Sequence, residues 1–350
     1  MKMKKTMALM MAAVLTIGSV ALVGCGDTAT TAPAETAAEA VETVETEAAE
    51  ATSDGTVYKV GICQLVQHAA LDAATQGFKD ALVATLGEGN VEFDEQNASG
   101  DSATCAVIAN QFVSNNVDLI MANATPALQA AVSATTDIPI VATSVTDYAT
   151  ALDISDWTGK TGINVTGTSD LAPLGEQANM IKELVPDVQT VGILYCSAEA
   201  NSKYQATTIE GYLDSMGIAY KEYTAADSND VALVTQTAVS ECDVLYVPTD
   251  NTMAYSAEII NSVAEPAGVP IIAGEEGICK GCGIGTLSMD YYSIGYKAGE
   301  MAADILTNGT DPATMDIAFA EDLTKEYMAD RCATLGITVP DDYVAIEVEE

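Results

Sequence analysis

The side chains best suited to chemistry stand in short polar turns, each directly after an apolar run. Gln64 and His68 share one such turn, Ser144 and Asp147 another, and Thr125, Glu275 and the pairs Asn201-Ser202 and Asp250-Asn251 occupy the rest. These are hydrogen-bonding groups and carboxylates, the donors, acceptors and charges that hold a small polar molecule. Covalent chemistry has little to work with. His68 is the only histidine, there is no GxSxG or HExxH, and no Gly-rich phosphate loop joins a strand to a helix. Asp147 with Asp250 could form an acid–base pair, but nothing marks either for that role. No cofactor is called for.

A unit used twice must position these turns. The run Asp118 to Asp147 returns in different residues at Asp243 to Gly277, with Asp118 matching Asp243, Thr125-Pro126 matching Asp250-Asn251, and Ile138-Pro139 matching Val269-Pro270. Each copy reads as strand, polar turn, helix, Pro-marked strand and polar turn. Upstream, Lys59 to Ile62 with a helix ending at Gly87 matches Thr190 to Ile193 with a helix ending at Gly217. The reading is an α/β chain of two Rossmann-like lobes with parallel sheets. Such sheets carry ligands at the carboxyl ends of their strands, so two of them facing across a hinge gather the turns around one cleft.

A length of 350 residues fits two domains plus extras at roughly 100 to 200 residues each. With 13 Lys and Arg against 51 Asp and Glu, the surface repels phosphate backbones and anionic lipid, which excludes nucleic-acid binding.

Residues 1–25 begin with Lys2, Lys4 and Lys5, continue through an apolar run and end Leu22-Val23-Gly24-Cys25. This is the pattern of a secretory signal, and the run is short for a bilayer span of ~20 residues. Leu22 to Cys25 resembles the bacterial lipobox, which implies lipidation of Cys25 and firm attachment to a membrane through several acyl chains. Residues 26–56, rich in Ala, Thr and Glu, read as a disordered acidic tether. The other cysteines, Cys63, Cys105, Cys196, Cys242, Cys279, Cys282 and Cys332, make a poor disulfide framework. Cys279 and Cys282 form a CxxC that reads as a local disulfide or two free thiols.

Along the chain, strands are expected at Val57–Leu65, Val91–Asp94, Val191–Tyr195, Thr286–Met289 and Thr314–Ala320 besides those of the repeat. Asp101 or Ser102 should cap the helix that runs to Asn116, Tyr291–Asn308 should be a helix stopped by Gly309, and Thr324–Leu335 is a possible last helix.

The motifs Gln64 to His68, Gln96-Asn97-Ala98, Thr125-Pro126, Asn164 to Gly167, Glu199 to Ser202, Pro248 to Asn251 and Tyr291 to Gly295 occur together and in order. Over about Val57 to Pro340 the chain thereby resembles the ABC-transporter substrate-binding proteins whose studied members take tryptophan or tyrosine. The resemblance implies a type I periplasmic-binding fold in which the chain crosses between lobes three times. It assigns residues 57–168 and 286–309 to the first lobe, 169–285 and 310–340 to the second, and 341–350 to a tail. It also implies a small-molecule ligand, a separate ABC permease and ATPase, and a lipoprotein on the outer face of the cell membrane. The family usually has Pro after the Asp of the Thr-Asp turn, where this chain has Tyr148, which would alter that turn and the pocket wall.

An amino acid in such a cleft needs donors for its carboxylate and a carboxylate for its ammonium. Arg331, the only guanidinium, lies beyond the last strand, so the donors would be helix N-termini at Thr125-Pro126 and Asn201-Ser202. The ammonium would meet Asp250, Asp147 or Glu275, with Asp250 favoured because it echoes Thr125. Helix capping alone is the alternative for Thr125, Ser202 and Asp250. A sensory ligand-binding subunit and, further off, a surface enzyme are the rival readings.

Overall fold

In the computed structural model, which describes residues 55–320 and 322–347, the two copies repeat down to a single hydrogen bond. Asp118 accepts from the backbone N–H of Lys59 at 2.7 Å, and Asp243 from that of Thr190 at 2.8 Å. Each aspartate ties the start of its own unit to the strand beside it. The export signal, Cys25 and the tether up to residue 54 lie outside the described residues.

The first lobe contains β1 (Tyr58–Gln64), α1 (Ala69–Leu86), β2 (Val91–Asn97), α2 (Ser102–Asn115), β3 (Leu119–Asn123), α3 (Thr125–Ala134), β4 (Ile140–Thr143), α4 (Tyr148–Ala151) and β5 (Val165–Ser169). The second contains α5 (Leu174–Leu184), β6 (Thr190–Cys196), α6 (Ala200–Met216), β7 (Ala219–Ala225), α7 (Val231–Val239), β8 (Val244–Val247), α8 (Asn251–Tyr255), α9 (Ala257–Ala267), β9 (Ile271–Ala273), α10 (Glu276–Cys282) and β10 (Gly285–Ser288). The chain then adds α11 (Tyr291–Asn308), β11 (Ala318–Phe319), β12 (Thr324–Tyr327), α12 (Ala329–Leu335) and β13 (Val344–Ala345). The sheets run β11-β5-β4-β3-β1-β2 and β13-β12-β10-β9-β8-β6-β7. Strands β3, β4, β8 and β9 are buried along their whole length, as parallel strands covered by helices on both faces must be. Edge strands β2 and β7 show the mixed, partly exposed pattern of a half-covered strand.

Local chemistry fixes the helix ends. Asp101 caps α2 by accepting from Ala103 N–H at 2.9 Å. Gly309 ends α11 in the left-handed region at φ +67°, where a side chain is strained. Helices α1 and α11 approach so closely that a Cβ on Gly295 would stand 2.0 Å from the Ala74 carbonyl oxygen, and one on Gly77 would stand 2.2 Å from that of Tyr292. Bare backbone at both positions lets α11 lie against α1 in the first lobe.

Three segments depart from the sequence reading. Gly285–Ser288 is a strand of the second sheet, parallel to β9 and antiparallel to β12, so the return to the first lobe begins with α11 and not at Thr286. Of the strand expected at Thr314–Ala320, only Ala318–Phe319 forms, and it pairs with β5 of the first sheet, not with the second. Thr324–Tyr327 extends as β12 instead of opening a helix, because all four of its residues pair antiparallel with β10; only Ala329–Leu335 is helical. Helices α4, α5, α7 and α10 and strands β7 and β13 have no counterpart in the sequence reading. The chain crosses between lobes after β5, before α11, and between β11 and β12.

Candidate functional site

The rim of the second lobe is organised by a buried carboxylate, Glu199, just ahead of α6. Its Oε1 accepts from the Thr252 backbone N–H at 2.9 Å and hydroxyl at 2.8 Å, and its Oε2 from the Asn251 amide at 2.6 Å and the Asn201 amide at 3.2 Å. Beside it, Asp250 caps α8 through Met253 N–H at 2.8 Å and accepts Cys196 N–H at 2.6 Å. Burial, with the Glu199 charge adding to it, pushes the Asp250 carboxyl up to about 8. The Ser202 hydroxyl bonds to the same carboxyl. Gln205 holds the preceding loop by donating to Thr249 O at 2.8 Å and accepting Thr249 N–H at 3.1 Å. The Oδ1 of Asn201 is buried without a hydrogen-bond partner.

The facing rim of the first lobe presents hydroxyls. Strands β3 and β4 are neighbours with Asn123 opposite Thr143, so Thr125 and Ser144 emerge side by side. Both are buried, at 2% and 5% exposure, and neither hydroxyl has a partner. The backbone is held in the left-handed half of conformational space at Ala124 (φ 86°) and Ser144 (φ 54°), strain of ~1–3 kcal/mol that the fold must offset. Thr125 is the first helical residue of α3, with Ala124 at the cap position, so capping is not what its hydroxyl does.

The remaining candidates are engaged within their own lobe. Gln64 donates to Asp72 at 2.6 Å and accepts from Thr75 at 2.6 Å, bracing the start of α1. Asp147 caps α4 through Thr150 N–H at 2.7 Å, and Glu275 caps α10 through Gly277 N–H at 2.7 Å. Burial pushes the Glu275 carboxyl up to about 7. The structure thus gathers Asn201, Ser202, Asp250 and Asn251 around Glu199, sets Thr125 beside Ser144, and leaves Gln64, Asp147 and Glu275 as separate supports. His68 joins the two lobes: its Nε2 lies 3.3 Å from Asn251 Oδ1. Tyr148 points into the first lobe, its hydroxyl within 3.1 Å of Ala142 O and 3.0 Å of Thr168 O, so it braces β4 against β5 rather than lining a pocket.

Two buried acids were not expected. Glu199 was visible only as part of a motif, and its role needs three loops folded together. Asp170, at the first crossing, accepts from the Thr146 hydroxyl at 2.8 Å and the Tyr291 hydroxyl at 3.1 Å, joining the segments on either side of the hinge. Burial pushes its carboxyl up to about 6.

A cavity of about 500 Å³ opens between the strand-end turns of both lobes, with Leu65, Val66 and Pro126 on one wall and Glu199, Asn251 and Tyr255 on the other. A cavity of about 480 Å³ lies on the hinge side, against Glu275 and Tyr291. The larger one, about 690 Å³, is lined by Tyr292, Tyr296, Lys297 and Phe319 and by none of the candidate residues, so volume does not mark the site here. Among the described residues no group of three His, Cys, Asp or Glu is placed to hold a metal ion. The seven cysteines among them are buried free thiols, Cys279 and Cys282 included. Arg331 spends its guanidinium on the carbonyls that end α10, among them Cys279 O at 3.0 Å, far from any ligand role.

Residues 59–348 match the model of the ABC transporter substrate binding protein family. The chain belongs to that family. This ABC substrate-binding protein is 39% identical over 249 residues to the tyrosine-binding protein of Clostridioides difficile (strain R20291), covering 71% of this chain and 72% of that one. It superposes with a TM-score of 0.78, at 31% identity, on the ABC domain in complex with L-Trp from Streptococcus pneumoniae, over 82% of this chain and 97% of that chain. The ligand-free, open structure of a substrate binding protein with adhesive properties from Clostridium difficile gives 0.63 at 36% identity, over 84% and 100%. The two-lobed α/β architecture is thus that of the periplasmic-binding proteins, and the family is one of substrate binding, not of enzymes.

Proposed function

We propose that this ABC substrate-binding protein takes an aromatic amino acid between its lobes, closes on it and delivers it to a membrane permease driven by a separate ATPase. The observation that carries the reading is the polarity of the facing rims. Unpartnered hydroxyls at Thr125 and Ser144, beside the N-terminus of α3, suit a carboxylate, and the unpartnered carbonyl of Asn201 with Asp250 and Glu199 suits an ammonium. The cavity at Leu65, Val66, Pro126 and Tyr255 offers apolar walls to a ring. A tyrosine-binding relative and an L-Trp complex of the same family support the aromatic choice.

Contacts made from both lobes favour the closed arrangement over the open one. The chain superposes better on the L-Trp complex than on the open structure, although the open one is closer in sequence, which supports a closed arrangement here. Lipidation at Cys25 would keep the protein outside the cell and at the membrane. Thermal-shift screening against the amino acids should single out L-tyrosine or L-tryptophan, since a tight ligand raises stability by mass action. Small-angle scattering with that ligand should show compaction. A flat screen would refute the ligand class, and binding without compaction would refute the clamp.

A further inference from the structure

Among the hydrogen bonds of the rims, the one between His68 and Asn251 runs from lobe to lobe, and its chemistry is determined by what stands behind it. Asn251 Nδ2 donates to Glu199 Oε2 at 2.6 Å, so Asn251 must turn its carbonyl oxygen toward His68. A carbonyl can only accept, so the imidazole carries its proton on Nε2 and leaves Nδ1 bare; Nδ1 is buried with no partner. The backbone N–H of Asn251 also points at Glu199, at 3.2 Å, which fixes the residue at both ends. We propose that His68, Asn251 and Glu199 form a positioning relay, in which Glu199 orients Asn251 as the strike for a His68 latch that holds the lobes closed. The ligand's contacts and the latch therefore share one carboxylate: whatever orders Glu199 at the rim also presents the acceptor that the opposite lobe must find.

The relay rests on the clamp proposed above and adds to it a residue pair whose work is retention, not recognition. Its charged surroundings are few. Burial pushes the imidazole down from its ordinary value, outweighing the Asn251 hydrogen bond and the charges of Glu199 across the cleft and Asp72 on the latch's own helix, which all favour a protonated ring. Glu258 and Tyr255 line the same cavity as His68.

With a single histidine in the chain, its ring can be read without assignment. In protein saturated with L-tyrosine, nitrogen NMR should find a titration below the ordinary ~6.5 and an Nε2–H proton slowed in exchange by its hydrogen bond, and N251A should release that proton to exchange with solvent. Ligand dissociation should speed up about fivefold or more in H68A and recover in H68Q, which keeps a side-chain N–H donor. An ordinary titration in the saturated wild-type protein, or H68Q no better than H68A, would overturn the latch. If thermal shift shows that L-tyrosine does not bind, the ligand reading falls by itself. The latch is then read in the free protein by small-angle scattering, where H68A should be more expanded than the wild-type protein and H68Q should not, and identical profiles for all three would remove the latch.

Discussion

Asp250 accepts the backbone N–H of Cys196 at 2.6 Å, so the carboxylate that follows β8 is fastened to the end of the neighbouring strand β6. It is held in place yet costly to ionise, which gives it a measurable signature.

At pH 7 the Asp250 carboxyl, raised to about 8, keeps its proton in the free protein. An ammonium seated against it favours the ionised form, so binding should release up to about one proton, and affinity should rise with pH until about 8 and then level off. Calorimetry of L-tyrosine binding in two buffers of different ionisation enthalpy measures this directly. D250N should abolish the release and weaken binding by about 10- to 100-fold, the scale of losing a buried charge partner. Equal heats in both buffers for the wild-type protein would refute the assignment.

Thr125 makes the opposite kind of prediction. Its hydroxyl has no partner, so T125V should leave the melting temperature unchanged or raise it, because a buried unsatisfied group costs ~1–3 kcal/mol. The same variant should bind more weakly, by about tenfold, if that hydroxyl meets the ligand carboxylate. A loss of stability with intact affinity would show a structural role.

G295A should be severely destabilising although it adds one methyl group. That methyl would stand 2.0 Å from the Ala74 carbonyl oxygen, so α11 must move off α1, at a cost of ~1–3 kcal/mol or more for overpacking. Chemical denaturation would read the loss. G309A provides the contrast: nothing lies near its Cβ, and only the left-handed backbone at φ +67° resists it.

R331A should lower stability by ~1.5–3 kcal/mol, since charged donors to the last carbonyls of α10 are withdrawn. Ligand affinity should stay within about twofold. A large loss of affinity would bring back the guanidinium clamp that its position argues against.

The repeat was legible because it is written locally: Asp118 and Asp243, the Pro-marked strands and the helix lengths all lie within single units. The same holds for Asp101 capping α2 and Gly309 closing α11. What escaped was long-range. Thr324–Tyr327 has the composition of a helix start and extends only because β10 offers it an edge. Gly285–Ser288 shows nothing in its own residues of the sheet it joins. At the rims, the candidate turns could be named from polarity alone, but the division between Asp250 beside Glu199 and Glu275 on the hinge side depends on which loops meet. Glu199 shows in the sequence only as part of a motif because its partners come from residues 201, 251 and 252, and Asp170 not at all because its partners Thr146 and Tyr291 are far apart in sequence.

The triple passage of the chain from one half to the other, with Asp170 and Tyr291 stitched together there, behaves like three pins driven along one door edge. Such a junction should resist sliding and twisting and favour a single swing. A permease contacting both halves could then read one angle, and that angle alone would report whether cargo is aboard.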